Sequence, residues 1–85
     1  MTIWKFPIEI ADVTSVNMPV DAKILCLQMQ HGVPCLWAEV DPTAPMVRRM
    51  FRFVGTGRDV ADDLGPYIGT IQSGDGFYVF HLYER

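Results

Sequence analysis

Positive charge is scarce in this chain. Two lysines and five arginines stand against ten acidic residues, a net charge of -3. Such a balance does not supply the many phosphate contacts on which nonspecific binding to DNA or RNA depends. Cysteine is scarce as well. Cys26 and Cys35 are too few for a disulfide scaffold and lie among apolar residues, which favours reduced thiols acting as small hydrophobes over a cross-strand disulfide. With His31 and His81 they lack the paired spacing of a structural zinc site. Nor do they pair as an evident nucleophile and base.

Other absences narrow the function further. No run approaches the ~18 apolar residues of a membrane span, and the segment 1–7 lacks the apolar stretch and cleavage site of an export signal, so the cytoplasm is the expected compartment. There is no GxGxxG or GxxxxGK[ST] phosphate loop. Asp59, Asp62 and Asp63 lack the ordered spacing of a calcium loop and read as a solvated connection. No cofactor or metal is expected. With 49% hydrophobic and 20% charged residues the chain is of globular type, and its 85 residues fit a single domain, 1–85. So short a chain buries only ~60–65% of its unfolded surface, which makes self-association plausible.

What is present is alternation with period two, broken by turn residues about every ten positions. It predicts a mainly β domain, a small antiparallel sheet or partial barrel of five to six strands with at most one short helix. The first strand, 2–10, sets Trp4, Phe6, Ile8 and Ile10 against Lys5, Pro7 and Glu9, and Pro7 marks it as an edge. Residues 11–17 read as a polar connection and 18–21 as a turn. Strands follow at 23–30, with Leu25, Leu27 and Met29 on one face, and at 34–41, joined by a tight hairpin at His31-Gly32. The strand 46–54 comes after the loop 41–45. Residues 55–66 form a long polar connection in which Asp59 to Leu64 would make one helical turn. Strands at 67–72 and 77–84 close the chain as a hairpin around Ser73-Gly74-Asp75-Gly76.

The few cations are concentrated. Arg48, Arg49 and Arg52 fall within five residues, and Arg58 follows the turn Gly55-Thr56-Gly57. Arginine offers a planar fork of donors that matches carboxylate or phosphate oxygens in pairs. Parity places Arg48 and Arg52 on one face of their strand. Arg49 lies on the other with Phe51 and Phe53, and is expected to reach outward along its stem. Two readings stand side by side: cross-strand ion pairs of Arg48 and Arg52 with Glu39, Asp41 or Glu84, or an anion site completed by Arg58 and the backbone N–H groups of Gly55, Thr56 and Gly57. The acids of the long connection are alternative partners for Arg58. In the last strand His81 and Tyr83 alternate with Phe80 and Leu82, and would join the arginines if they share the open face, adding a stacking surface for a base. His81 reads equally as a hydrogen-bonded histidine within a sheet. Trp37, opposite Leu36 and Ala38, is either a ligand or interface platform or a residue packed between layers.

The segments Ile3-Trp4-Lys5-Phe6, Ala22-Lys23-Ile24-Leu25, Pro34-Cys35-Leu36-Trp37-Ala38, Val40-Asp41-Pro42, Gly55-Thr56-Gly57, Tyr67-Ile68-Gly69-Thr70 and Phe80-His81-Leu82 resemble a family of small, uncharacterised phage-encoded proteins. The resemblance covers nearly the whole chain and brings no catalytic or binding residues with it. It implies a setting: an accessory protein of phage origin acting against host defence inside the host cell. In that setting the residues point to a noncatalytic homo-oligomer that binds and sequesters a small anionic, nucleotide-type signal through Arg48, Arg52, Arg58, Gly55, Thr56, Gly57, His81, Tyr83 and Trp37. The alternative is inhibition of a host defence protein by direct contact.

Overall fold

The computed structural model describes residues 1–85. It contains seven strands and no helix: β1 (Thr2–Pro7), β2 (Thr14–Pro19), β3 (Lys23–Gln30), β4 (Val33–Val40), β5 (Met46–Gly55), β6 (Tyr67–Ser73) and β7 (Tyr78–Glu84). They form two antiparallel sheets, ordered β1-β4-β3 and β2-β5-β7-β6. No helix is present that could cross a membrane.

Alternation decides which residues become core. In β4 Leu36, Ala38 and Val40 are fully buried, in β5 Phe51 and Phe53 point inward, and Val16, Met18, Leu27, Ile71 and Leu82 join them in one cluster drawn from both sheets. The sheets do not close into a barrel. They approach along one seam, where β3 packs against β6 and the position of a Cβ on Gly69 would lie 3.2 Å from the Leu27 side chain. A larger residue there would push the seam apart.

The strand count exceeds the expected five to six because residues 14–19, expected as part of a polar connection and a turn, form β2. Val16 and Met18 of that strand face the core and Pro19 is buried at its end, but Thr14, Ser15 and Asn17 are small or polar. The helical turn expected over 59–64 is also absent. Only a single turn bond, from Leu64 N–H to the carbonyl of Ala61 at 3.3 Å, forms there. Six residues cannot offset the cost of helix nucleation without a packed apolar face. The first strand stops at Pro7 and not at residue 10, although Ile8 still donates to the carbonyl of Pro34 at 3.0 Å. Leu25 leaves the face shared by Leu27 and Met29, because a bulge between Ile24 and Cys26 shifts the register and exposes it.

The hairpin at His31-Gly32 does form. Both residues adopt positive φ, 51° and 79°, the pattern of a type I′ turn whose twist matches its strands. β1 is an edge strand, as its proline suggested.

Candidate functional site

Strand parity separates the arginines by task. Arg49 lies on the inner side of β5, at the margin of the core, where each of its guanidinium nitrogens makes a hydrogen bond. Its Nε and Nη2 each donate to a Glu84 carboxylate oxygen at 2.7 Å, and Nη1 donates to the carbonyl of Ala22 at 2.6 Å. The Glu84 hydrogen bonds hold the Arg49 guanidinium above its ordinary pKa, against the opposing effect of partial burial. Arg49 therefore ties β5 to the end of β7 and to the entrance of β3 in the other sheet. It does not reach out to water, and both side chains of the pair are only 21% exposed.

This is the one ion pair of the structure. Arg48 and Arg52 have no carboxylate partner; Glu84, one of the three acids considered for them, is held by Arg49. Arg58 does not pair with the acids of its loop either.

Arg52 and Arg58 instead meet at a cleft of about 470 Å³, formed where the segment after β1 passes the end of β5. Its walls include Ile10, Asp12, Phe53, Gly55, Asp59 and Phe80. Arg52 Nε donates to the carbonyl of Asp12 at 3.2 Å, which steadies the guanidinium and leaves both Nη groups available. The Arg58 stem folds over Gly55, whose Cβ position would be 3.7 Å from it. Gly57 makes this possible. Its φ of 89° fits the third position of a turn closed by the Arg58 N–H donating to the Gly55 carbonyl at 3.0 Å. The same turn uses the Thr56 N–H, which donates to the Val79 carbonyl at 3.1 Å, so Gly55-Thr56-Gly57 is not a row of open donors.

The outer face of the four-stranded sheet brings together the second part of the expected set. Tyr83 lies directly across from Arg52, and His81 across from Val54. Tyr67 of β6 meets Tyr83 edge-on, with ring centroids 5.6 Å apart. His81 is held at both nitrogens, Nε2 by the Thr56 hydroxyl and Nδ1 by the Thr70 hydroxyl, each at 2.8 Å. Thr70 in turn contacts the Tyr67 hydroxyl, and Thr56 reaches the Val79 carbonyl at 3.5 Å. The hydroxyls of Thr56, Thr70 and Tyr67 can each donate and accept, so the chain matches either neutral tautomer of the imidazole. His81 is a hydrogen-bonded residue of the sheet, and its network fixes the turn that carries Arg58.

Two expected members lie elsewhere. Arg48 shares the outer face but stands opposite Asn17, about 13 Å along the strand from Arg52. Trp37 sits on the outer face of the other sheet, between Lys5 and Cys26. Sequence reading also missed cleft residues. Asp12 follows β1 in a segment that carries no pattern, and the alternation that includes Ile10 does not link it to the arginines. Thr70 was within reach, since parity across the final hairpin puts it on the face of His81, whereas Tyr67 joins that face only through a bulge between Tyr67 and Gly69.

A family profile, described as a domain of unknown function (DUF7352), matches residues 1–85. The chain belongs to the DUF7352 family. No curated protein and no solved structure matches it. Within this member of DUF7352, the segments 55–57, 67–70 and 80–82 converge on the network around His81.

Proposed function

We propose that this DUF7352 protein is a noncatalytic binder of a small anionic, nucleotide-type ligand, and that it acts as a phage counter-defence protein sequestering such a signal as a homo-oligomer. The observation that carries the reading is the cleft containing Arg52 and Arg58, two guanidiniums without carboxylate partners in a space of about 470 Å³. That volume lies within the usual range for small-ligand sites. The Nη groups of Arg52 and the Arg58 guanidinium would hold phosphate oxygens in paired fashion. Phe53 and Phe80 supply apolar wall, while Tyr83 beside Arg52 offers a ring for a base that extends onto the sheet face.

Binding without turnover is favoured by the state of the reactive groups. Cys35 is buried, and His81 is committed to two threonine hydroxyls. Asp59 and Asp12 at the cleft oppose an anion, so selectivity would rest on ligands that meet both arginines at once. Thermal melting with a panel of mono-, di- and cyclic nucleotides tests the proposal, since a ligand of the native state raises its midpoint. The expected result is a shift with at least one nucleotide, its loss in Arg52→Ala, and recovery of the nucleotide intact.

A second reading, direct inhibition of a host protein, is favoured by the tip between β6 and β7. Phe77 and Tyr78 are 84% and 67% exposed there, an aromatic pair of the kind that anchors protein interfaces. Copurification of a host protein, lost in Phe77→Ser/Tyr78→Ser, would select it.

A further inference from the structure

We propose that two copies of the chain pair through the free edge of β1, antiparallel and with Trp4 opposite Trp4 of the second copy. This deepens the homo-oligomer part of the reading above by naming its surface. It does not depend on the ligand.

The ladder between β1 and β4 fixes which backbone groups are open. Ile8 donates to Pro34, and in an antiparallel pair the residues that exchange bonds alternate, so Phe6, Trp4 and Thr2 also face β4. Ile3 and Lys5 therefore direct N–H and C=O away from the sheet, toward the free edge. These groups are met by water in the single chain and match the complementary groups of another extended strand. Pro7 also faces outward, which is why its missing N–H costs the ladder nothing.

The side chains favour a partner on this edge. Ile3 is 58% exposed and Trp4 37%, one on each face of the strand. Lys5, the residue type that commonly guards such edges, is turned inward across the sheet, its Nζ donating to Gln30 Oε1 at 2.7 Å. The other free edge, β2, presents Ser15 and Asn17 on its outer face and ends at Pro19, so it lacks the exposed Ile and Trp of β1.

Self-complementarity then selects the register. Outward groups must meet outward groups, which every alignment centred on a residue achieves. Those centred on Ile3, Trp4 and Lys5 overlap the strand most fully, whereas centring on Phe6 sets Lys5 opposite Pro7 and loses its donor. Centring on Lys5 sets the two lysine stems against each other and places Ile3 opposite Pro7, losing donors. Centring on Ile3 leaves each Trp4 beside a Thr2. Centring on Trp4 pairs the two indoles, sets each Ile3 opposite the other copy's Lys5, and forms the bonds of Ile3 with Lys5 in both directions. Such a contact has the two-fold symmetry of an isologous dimer and continues the three-stranded sheet into six strands. One strand edge covers less than the ~1,200 Å² of a standard interface, so the dimer should be weak and concentration-dependent.

Sedimentation velocity of the full chain from micromolar to millimolar concentration, without ligand, gives the association constant of the wild type and of two variants at one exposed position. In the proposed register, Ile3→Glu faces Lys5 of the second copy and Ile3→Lys faces a like charge. With two such pairs per dimer, the glutamate variant should associate about tenfold more tightly than the lysine variant. Melting curves confirm that both variants fold. A wild type that stays monomeric at millimolar concentration overturns the proposal, and so does a glutamate variant no tighter than the lysine variant, the outcome expected if Ile3 faces Ile3. Nucleotide binding, measured separately by thermal shift, succeeds or fails without reference to either result.

Discussion

Arg49 and Arg52 stand three residues apart on β5, and their surroundings have little in common. Arg49 points to the core side, with each of its three nitrogens donating to Glu84 or to the carbonyl of Ala22, and joins the two sheets. Arg52 points to the other side, holds one carbonyl through Nε, and leaves its remaining fork directed at a cleft it shares with Arg58. The side chains are chemically identical, so the difference lies in parity and in which carboxylate the fold brings close. A cluster of arginines in sequence is therefore not a cluster in function: one is a structural tie, one faces the cleft, and Arg48 is an exposed residue opposite Asn17.

The comparison breaks most visibly at the tie. Arg49→Ala removes three hydrogen bonds and leaves Glu84 without its counter-charge in a half-buried setting. Between the values for exposed and buried pairs, the expected loss is about 2 kcal/mol, read as a lower urea midpoint. Nucleotide binding below the new midpoint should be retained. Arg52→Ala should do the reverse, weakening nucleotide binding by about 2 kcal/mol, the scale of a lost charge-assisted contact, while stability moves by less than about 0.5 kcal/mol. A variant pair that shifts both properties together would erase the distinction.

Smaller effects sharpen it. Thr70→Val removes the hydroxyl that bridges His81 Nδ1 and the Tyr67 hydroxyl, at an expected cost of about 1 kcal/mol or less in urea unfolding, since both hydrogen bonds are exposed to water. Asp59→Asn removes a carboxylate from the cleft wall and should tighten nucleotide binding a few-fold in titration calorimetry, with Arg49 unaffected. The smallest effect belongs to Asp41. Hydrogen bonds from the Thr43 hydroxyl and N–H hold its carboxyl below the usual carboxylate value. A depressed folded pKa contributes stability above the unfolded value near ~3.9, and that contribution is lost as pH falls through the folded one. Asp41→Asn should thus be slightly less stable than the wild type at neutral pH, the two curves converging in acid.

Much of the sheet content was legible in the sequence. Strands 23–30 and 46–54 fall on their observed positions to within a residue, because β3 and β5 carry strong alternation bounded by turns. β2 was not legible, since an edge strand with two clearly apolar inward residues looks like a polar connection. The bulge at Leu25 is likewise invisible to parity, because an inserted residue leaves no mark in composition. At the site, parity separated Arg49 from Arg52 and paired His81 with Tyr83, but that these share a face with Arg52 follows from the pairing of β5 with β7, which parity does not give. It could not supply the strand order that puts Trp37 in the other sheet, nor the crossing segment that brings Asp12 to Arg52. Those depend on contacts distant in sequence.

The most direct measurement is thermal melting with the nucleotide panel on the wild type and on the Arg52→Ala/Arg58→Ala double variant. Binding at 100 times the dissociation constant stabilises the native state by about 2.7 kcal/mol, a shift easily read in a domain of this size. The expectation is a raised midpoint for the wild type with at least one nucleotide, and none for the double variant. Unchanged midpoints for the wild type across the whole panel, or an equal shift in the double variant, would contradict it.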